Sequence, residues 1–598
     1  MKISKASNYD EQVARAIESL EQEEYDTARE QAEEVVQALE PHLQALAIAS
    51  RISAKAGLMS AFQQQQRSQQ NATTTVLSQA WEGFRLSQQL DPSCEQSKAE
   101  LKNLTRVYRQ MAGLSSSQGI ADFDVVIVGA GAAGIGTALT LTETFGLHKE
   151  RVLLVERGAT VGSSFLKWPK EMRFISPSFN QQGWTPSFDL NSIRYGTSPA
   201  FSMHSEHPTG REYAAYLKAL VDNHRLQLVT HTEVVSVEPD DYDDDDQLDP
   251  MFFVKTRKDG AKEQLIIARY VVWAGGEYQY PRGGQNATAE ATIQTMKLQE
   301  EKKSEEDLSP TSKKQKTKTD PKDFCGSEHC LHNSNVGSWE NLKGDDFVVI
   351  GGYESGIDAC YHLANAGKKT TVLASTRCWR VKTADPSSEL APFTSGRLCQ
   401  VMHPGFAPSP RLLAPIKVTS VEKKTAAGGS AAAAKYIVTA EWKVETPEAK
   451  APLRSAMNTI DTEVPGAPGT KLVLETTHPP ILCTGFKNSV VARAGNLFDF
   501  VTRDGPHARK GCLDGAPLLT KRDESTKVPG IFLVGPMVSH GSHSFCFVYK
   551  FRQRFAIVAQ AICEGLGLDT RAAVAECRQQ HMYLDDLSCC ENACGDVC

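Results

Sequence analysis

Three glycines, Gly129, Gly131 and Gly134, follow the apolar run Val125-Val-Ile-Val128 and lead into a second apolar stretch, Ile135 to Leu141. The spacing is G-x-G-x-x-G between a strand-like and a helix-like segment. That arrangement suits the pyrophosphate of a dinucleotide: the first glycine permits the tight turn, the second lets backbone approach the ligand, and the third lets helix pack on strand. A further apolar run, Arg151-Val-Leu-Leu-Val-Glu156, ends on an acid that can accept from a ribose hydroxyl. The same logic recurs at Asp346-Phe-Val-Val-Ile-Gly-Gly-Tyr-Glu-Ser-Gly356. Gly351 and Gly356 hold the outer positions, Gly352 follows the first, and Tyr353 stands where the middle glycine is expected. The next strand-like run, from Thr370, ends on Ser375, Thr376 and Arg377 with no acid. An arginine there suits a 2′-phosphate, which favours NADP over NAD; a helix cap with a surface arginine is the plainer alternative.

The elements that must carry these loops occupy the middle of a 598-residue chain. Its length allows three or four domains. A net charge of −7 argues against a nucleic-acid binder. No apolar run has the length of a membrane span, and the first residues show no secretory h-region. Fifteen cysteines, mostly scattered, fit reduced thiols in a cytoplasmic setting. Residues 1–114 read as all-helical, with Val13, Ile17, Leu20, Ala32, Val36 and Leu39 at three-and-four spacing. The pattern resembles tetratricopeptide helix pairs loosely, and a plain bundle packed on the enzyme fits equally. Either could offer a surface to a protein partner. Residues 228–276 alternate as strands, with the acidic run Asp240 to Asp246 as a solvated loop, and 283–323 reads as a disordered insertion.

Two fingerprints far apart in one chain resemble the two-dinucleotide-binding flavoproteins of the pyridine nucleotide-disulfide oxidoreductase superfamily. Lys167-Trp-Pro-Lys-Glu-Met-Arg-Phe174 is similar to the Pro-Lys-Glu-Met segment of flavin-containing monooxygenases. Tyr270-Val-Val-Trp-Ala-Gly-Gly-Glu-Tyr-Gln-Tyr-Pro281 and Pro480-Ile-Leu-Cys-Thr-Gly-Phe486 resemble that family's two crossing segments, and Gly530-Ile-Phe-Leu-Val-Gly-Pro536 its last FAD-contacting strand. The resemblance implies an α/β fold with two Rossmann-like domains behind the helical region. FAD would be held by 120–345 with 480–565, and NADP by 346–479. A helical tail, 566–598, would follow.

It implies that Lys170, Glu171 and Met172 line the flavin, that Gly485 and Gly535 contact cofactor, and that Arg377 holds the NADP phosphate. Lys170 and Asn333 are the candidate catalytic residues. The expected reaction uses NADPH, reduced flavin and O₂ to oxygenate a small molecule at sulfur, nitrogen or a ketone. Two departures stand out: Lys167 replaces the asparagine usual before Pro-Lys-Glu, and Phe324-Cys-Gly-Ser-Glu-His329 rewrites the signature ahead of the second fingerprint. His540 and His543, after the last strand, would lie near the flavin or be satisfied within the fold.

The last ten residues hold Cys589, Cys590, Cys594 and Cys598. Their spacing suits soft-metal ligands, a dithiol relay in a thiol, disulfide or metal reductase, or no chemistry at all. A degenerate flavoprotein scaffold is the third reading.

Overall fold

The computed structural model describes Trp81, residues 83–87, Leu101, and residues 121–178, 188–240, 251–259, 263–284, 324–379, 390–424, 434–444, 466–501, 515–541 and 543–587. Most of the expected N-terminal helices, the insertion at 285–323 and the cysteines from 589 to 598 therefore lie outside the described residues. The chain divides into two compact units, 1–125 with 231–270, and 126–230 with 271–598.

The larger unit opens with the end of β1 (Phe123–Val128), whose FDVVIV is buried along nearly its whole length, as a strand covered on both faces must be. Helix α1 (Ala132–Leu139) follows, buried at every position. Its small residues let it approach its neighbours closely: a Cβ on Gly136 would lie 2.1 Å from the Phe555 ring. Strand β2 (Val152–Val155) is also fully buried. Helix α2 (Gly210–His224) begins at a capping box in which Thr209 Oγ1 accepts from Glu212 N–H and the Glu212 carboxylate accepts from Thr209 N–H. That reciprocal pair satisfies two donors the helix start would otherwise leave open. Strand β3 (Leu228–Val229) then pairs parallel with β2.

In the smaller unit, β4 (Thr232–Pro239), β5 (Phe252–Lys258) and β6 (Glu263–Trp273) form an antiparallel meander. Trp81, Phe84 and Leu101 are buried there with Met251, Phe253 and Ile267. The strands expected between 228 and 276 are thus present.

The larger unit continues through β7 (Tyr280–Pro281) and β8 (Leu331–His332) to β9 (Asp346–Ile350), α3 (Glu354–Asn365), β10 (Lys369–Leu373), α4 (Pro392–Val401) and β11 (Arg411–Leu413). Next come β12 (Ile416–Lys424), β13 (Lys435–Trp442) and β14 (Lys471–Thr476), an antiparallel meander. On β13, Tyr436, Val438, Ala440 and Trp442 are buried and the residues between them are not, as in a sheet with one wet face. The chain returns through β15 (Ile481–Leu482) and β16 (Phe486–Lys487) to β17 (Ile531–Leu533), then ends on α5 (Phe555–Gly565) and α6 (Arg571–Gln579).

Two sheets matter for the site. One runs β3-β2-β1-β6-β17, with residues 126–128 of β1 and 271–273 of β6 in this unit. The other, β11-β10-β9-β15-β8, is parallel throughout. Its order reverses between β9 and β15, and such switch points are where open α/β sheets bind ligands. No helix among the described residues is long and apolar enough to cross a membrane.

Candidate active site

Both glycine loops form at the carboxyl ends of central strands, and their backbones match. Gly129 has φ +106° and donates to Val155 O at 2.8 Å; Gly351 has φ +115° and donates to Leu373 O at 2.9 Å. A Cβ on Gly129 would lie 2.6 Å from Ala274 O, and one on Gly351 2.3 Å from Cys483 O. A Cβ on Gly134 would strike Gly129 O at 2.0 Å, and one on Gly356 would strike Gly351 O at 1.9 Å. These four glycines are required by the protein itself. Gly131 is different. Among the described residues, no atom beyond its own chain neighbours lies within 4 Å of its Cβ position. A pyrophosphate against the first N–H groups of α1 fits that cradle.

Glu156 closes β2 as expected. Its carboxylate accepts from Ala130 N–H at 2.9 Å and Gly158 N–H at 2.6 Å, so it ties the glycine loop to the next turn. A carboxylate has about four lone-pair sites, which leaves capacity for a ribose hydroxyl. Gly535 (φ +100°) brings the end of β17 against α1, where its Cβ would lie 3.0 Å from Ala133 Cβ.

The Pro-Lys-Glu-Met segment is clamped to the stretch that precedes the second fingerprint. Lys170 N–H donates to Gly337 O at 2.9 Å, while the Glu171 carboxylate accepts from the Ser338 hydroxyl and from Trp339 N–H. Burial opposes the Glu171 charge, but these donors outweigh it and hold the carboxyl below its ordinary range. Glu171 thus fastens the segment. Lys170 is exposed and Met172 half-buried. The clamp ties the turn bearing Lys170 to residues 337–339, a few positions after Asn333 at the start of a short 3-10 helix; Asn333 is only 4% exposed, and its Oδ1 has no hydrogen-bond partner among the described residues. An orphaned acceptor of this kind calls for a donor from a ligand or water.

The two crossings pair as β7 and β16, with Arg282 N–H donating to Gly485 O at 3.1 Å and its Nε–H to Phe486 O at 2.8 Å. Gly485 (φ +80°) faces open space. His332 lies beside it, and burial pushes its ring down to about 4. The neutral ring donates from Nε2 to Gly485 O (3.1 Å), since a carbonyl can only accept, and Nδ1 accepts from Ser334 N–H (3.2 Å).

Glu277 and Tyr278 follow the first crossing strand, inside the segment that resembles the family's first crossing but with no role of their own expected from sequence. Burial pushes the Glu277 carboxyl up to about 7, with Arg282 pulling it back. Tyr278 is 52% exposed, and protein packed about its ring raises its phenol. Cys546 and Tyr353 are among its ionisable neighbours.

In the second loop Tyr353 caps α3 and is 39% exposed. Gly352 is boxed in, since its Cβ would lie 2.4 Å from Ala374 Cβ and 2.7 Å from the Trp379 ring. Arg377 stands just past β10, half-buried, with Nε–H donating to Ala414 O at 3.1 Å. His540 is a satisfied histidine, its Nε2 2.5 Å from Asp523 Oδ1. Asp523 also binds the buried Arg554, through Nε at 2.8 Å and Nη2 at 2.7 Å. Among the described residues no cluster of three or more metal-ligating side chains occurs, and Cys589, Cys590, Cys594 and Cys598 fall outside them.

The model of the pyridine nucleotide-disulphide oxidoreductase family matches residues 126–307 and 318–439, just over half of the chain. The chain belongs to that family. It is an oxidoreductase of that family, and its two glycine loops suit the pyrophosphates of two dinucleotides, as FAD and NADP are. An uncharacterized oxidoreductase, CzcO, from Bacillus velezensis is 25% identical over 148 residues, which is 24% of this chain and 36% of that protein. Bacillithiol disulfide reductase from Staphylococcus aureus superposes with a TM-score of 0.46 at 14% identity, covering 74% of this chain and 99% of the other. Ornithine N-hydroxylase from Kutzneria sp. 744 gives 0.47 at 14% identity, with the same coverage. A flavin-containing monooxygenase from Stenotrophomonas maltophilia gives 0.39 at 14%, covering 75% and 99%. The assignment rests on the family match and takes no support from these superpositions.

Proposed function

We propose that this chain is an NADPH-dependent flavin monooxygenase acting on a small soft nucleophile at sulfur or nitrogen, or on a ketone. The observation that carries the choice is the state of its thiols. Nine cysteines are described and none is in a disulfide. Burial pushes Cys330, Cys360 and Cys577 up to about 12 and raises Cys378 and Cys483 as well. A thiol must ionise to attack a disulfide or flavin. Those five are held as thiols and make poor relays for a reductase; Cys325, Cys399, Cys546 and Cys563 are the other four described.

Bound FAD supplies the acceptor for the NADPH hydride and, once reduced, the centre that activates O₂. The protein's part is binding and orientation. Gly129, Gly131 and Gly134 present the start of α1 to the FAD pyrophosphate, with Glu156 on the ribose and Gly535 against the same helix end. Gly351, Gly352, Gly356 and Arg377 hold NADP. Lys170, Glu171 and Met172 form one wall, with Glu171 acting through its clamp. Asn333 offers its unpartnered oxygen beside that wall, and Gly485 lets the return crossing pass close by. The proposed domains are those of the sequence reading: 120–345 with 480–565 for FAD, and 346–479 for NADP.

The balance is NADPH, a proton, O₂ and a thioether giving NADP⁺, water and a sulfoxide. The test supplies methyl phenyl sulfide to the FAD-loaded protein with NADPH in air. The expected result is sulfoxide in proportion to NADPH oxidised. Peroxide as the sole product, with turnover of an aromatic disulfide that disappears in Cys589→Ser/Cys590→Ser, would overturn it in favour of a reductase. That alternative would draw on the C-terminal cysteines. No oxidation of NADPH would leave the scaffold reading.

A further inference from the structure

The two glycine loops are internal copies with one systematic difference. The residue capping each helix has nearly the same backbone: Gly131 at φ −90°, ψ −168°, and Tyr353 at φ −98°, ψ −164°. This conformation is open to any residue. At Gly131 the missing side chain leaves a space bordered, among the described residues, by no atom beyond its own chain neighbours, and at Tyr353 the equivalent space begins with a Cβ and carries a phenol. The flanking glycines keep their close contacts in both loops, so the second loop has not drifted from the dinucleotide geometry. It has kept that geometry and carries a tyrosine where the first loop has a glycine.

The next position reinforces the difference. Where α1 begins with Ala132, α3 begins with Glu354. Its carboxylate accepts from Ala391 N–H at 2.6 Å and from the Thr394 hydroxyl, which pins the start of α4. The positive end of α3 thus already has an acid in its first turn. A pyrophosphate approaching it meets a ring and a carboxylate where the first site offers bare backbone.

We infer that Tyr353 sets the affinity of the second site, holding the pyrophosphate of NADP away from the α3 N–H groups so that the nucleotide binds well below the strength its loop geometry permits. The inference rests on reading the second site as the NADP site. Binding then depends more on the 2′-phosphate end, at Arg377, than in a glycine-capped loop.

The experiment titrates oxidised, FAD-loaded, full-length protein with NADP⁺, which binds without turnover, by calorimetry. Tyr353→Gly should bind at least about tenfold more tightly, the size of one charge-assisted hydrogen bond regained. Tyr353→Phe should match the wild type, because ring bulk rather than the hydroxyl is responsible. FAD content should be unchanged in both. Unchanged or weaker binding by Tyr353→Gly, where the wild type binds, would overturn the inference and leave the site reading intact. If neither protein binds NADP⁺ at all, the site reading itself falls, and the inference with it.

Discussion

Gly131→Val protein folds and contains no FAD. The substitution adds a branched side chain where, among the described residues, no atom beyond its own chain neighbours lies within 4 Å of the Cβ position, on a backbone at φ −90° that valine adopts freely. The fold therefore has nothing to repack. The pyrophosphate does, because it must reach the α1 N–H groups through the occupied space. FAD affinity should fall by about a hundredfold or more, a loss of one to two charge-assisted hydrogen bonds. The measurement is the ratio of flavin to protein absorbance after purification, alongside a thermal melt of the stripped protein. Gly134→Val is the contrasting control. Its Cβ would meet the Gly129 carbonyl at 2.0 Å, so that variant should lose stability and cofactor together. A yellow Gly131→Val protein would contradict the placement of FAD in this loop.

Asp523→Asn should cost about 3 kcal/mol of stability, within the range for breaking a buried ion pair. Asp523 is fully buried, and its carboxylate is shared by Arg554, itself 1% exposed, and His540. Asparagine keeps the shape and tolerates the φ of +61° at this position. The loss thus reports the charge rather than the backbone. Without the carboxylate, Arg554 retains carbonyl partners at Lys521 and Leu584 but no counter-charge. The network lies between the last strand of the first sheet and the start of α5, so FAD content should fall along with the melting temperature. A chemical melt shows the effect directly, and a second variant, Asp523→Asn/Arg554→Met, which also removes the uncompensated charge, should recover part of it. A change under about 0.5 kcal/mol, as for a surface substitution, would contradict this reading.

What the sequence showed and what it hid divide along the range of the interactions. The glycine loops are local devices: a strand, a turn and a helix within a dozen residues, so their backbone could be read from Gly129 to Leu141 and again from Asp346 to Gly356. The crossings at Ala274 and Cys483 were legible for a similar reason, since each is a strand end with glycines, and both prove to be the walls behind the loops. Glu171 was placed beside the flavin by resemblance. Its clamp to Ser338 and Trp339 spans 167 and 168 residues of chain and has no local signature. The Asp523–Arg554 pair is hidden likewise, because nothing at Asp523 marks it as buried. Tyr353 was visible as a departure, but its meaning depended on the space around Gly131. Most of the tetratricopeptide-like helices and the cysteine tail lie outside the described residues, so a partner surface and any tail chemistry are expectations from sequence alone.

The central claim is that hydride passes from a nucleotide in the second loop to FAD in the first. Anaerobic mixing of FAD-loaded protein with one equivalent of NADPH, followed by the bleaching of flavin absorbance, tests it most directly. The account predicts full bleaching with NADPH, slower bleaching with NADH, and a preference that shrinks about tenfold in Arg377→Ala, the loss of one charge-assisted contact to the 2′-phosphate. Flavin that stays oxidised under both nucleotides would contradict it.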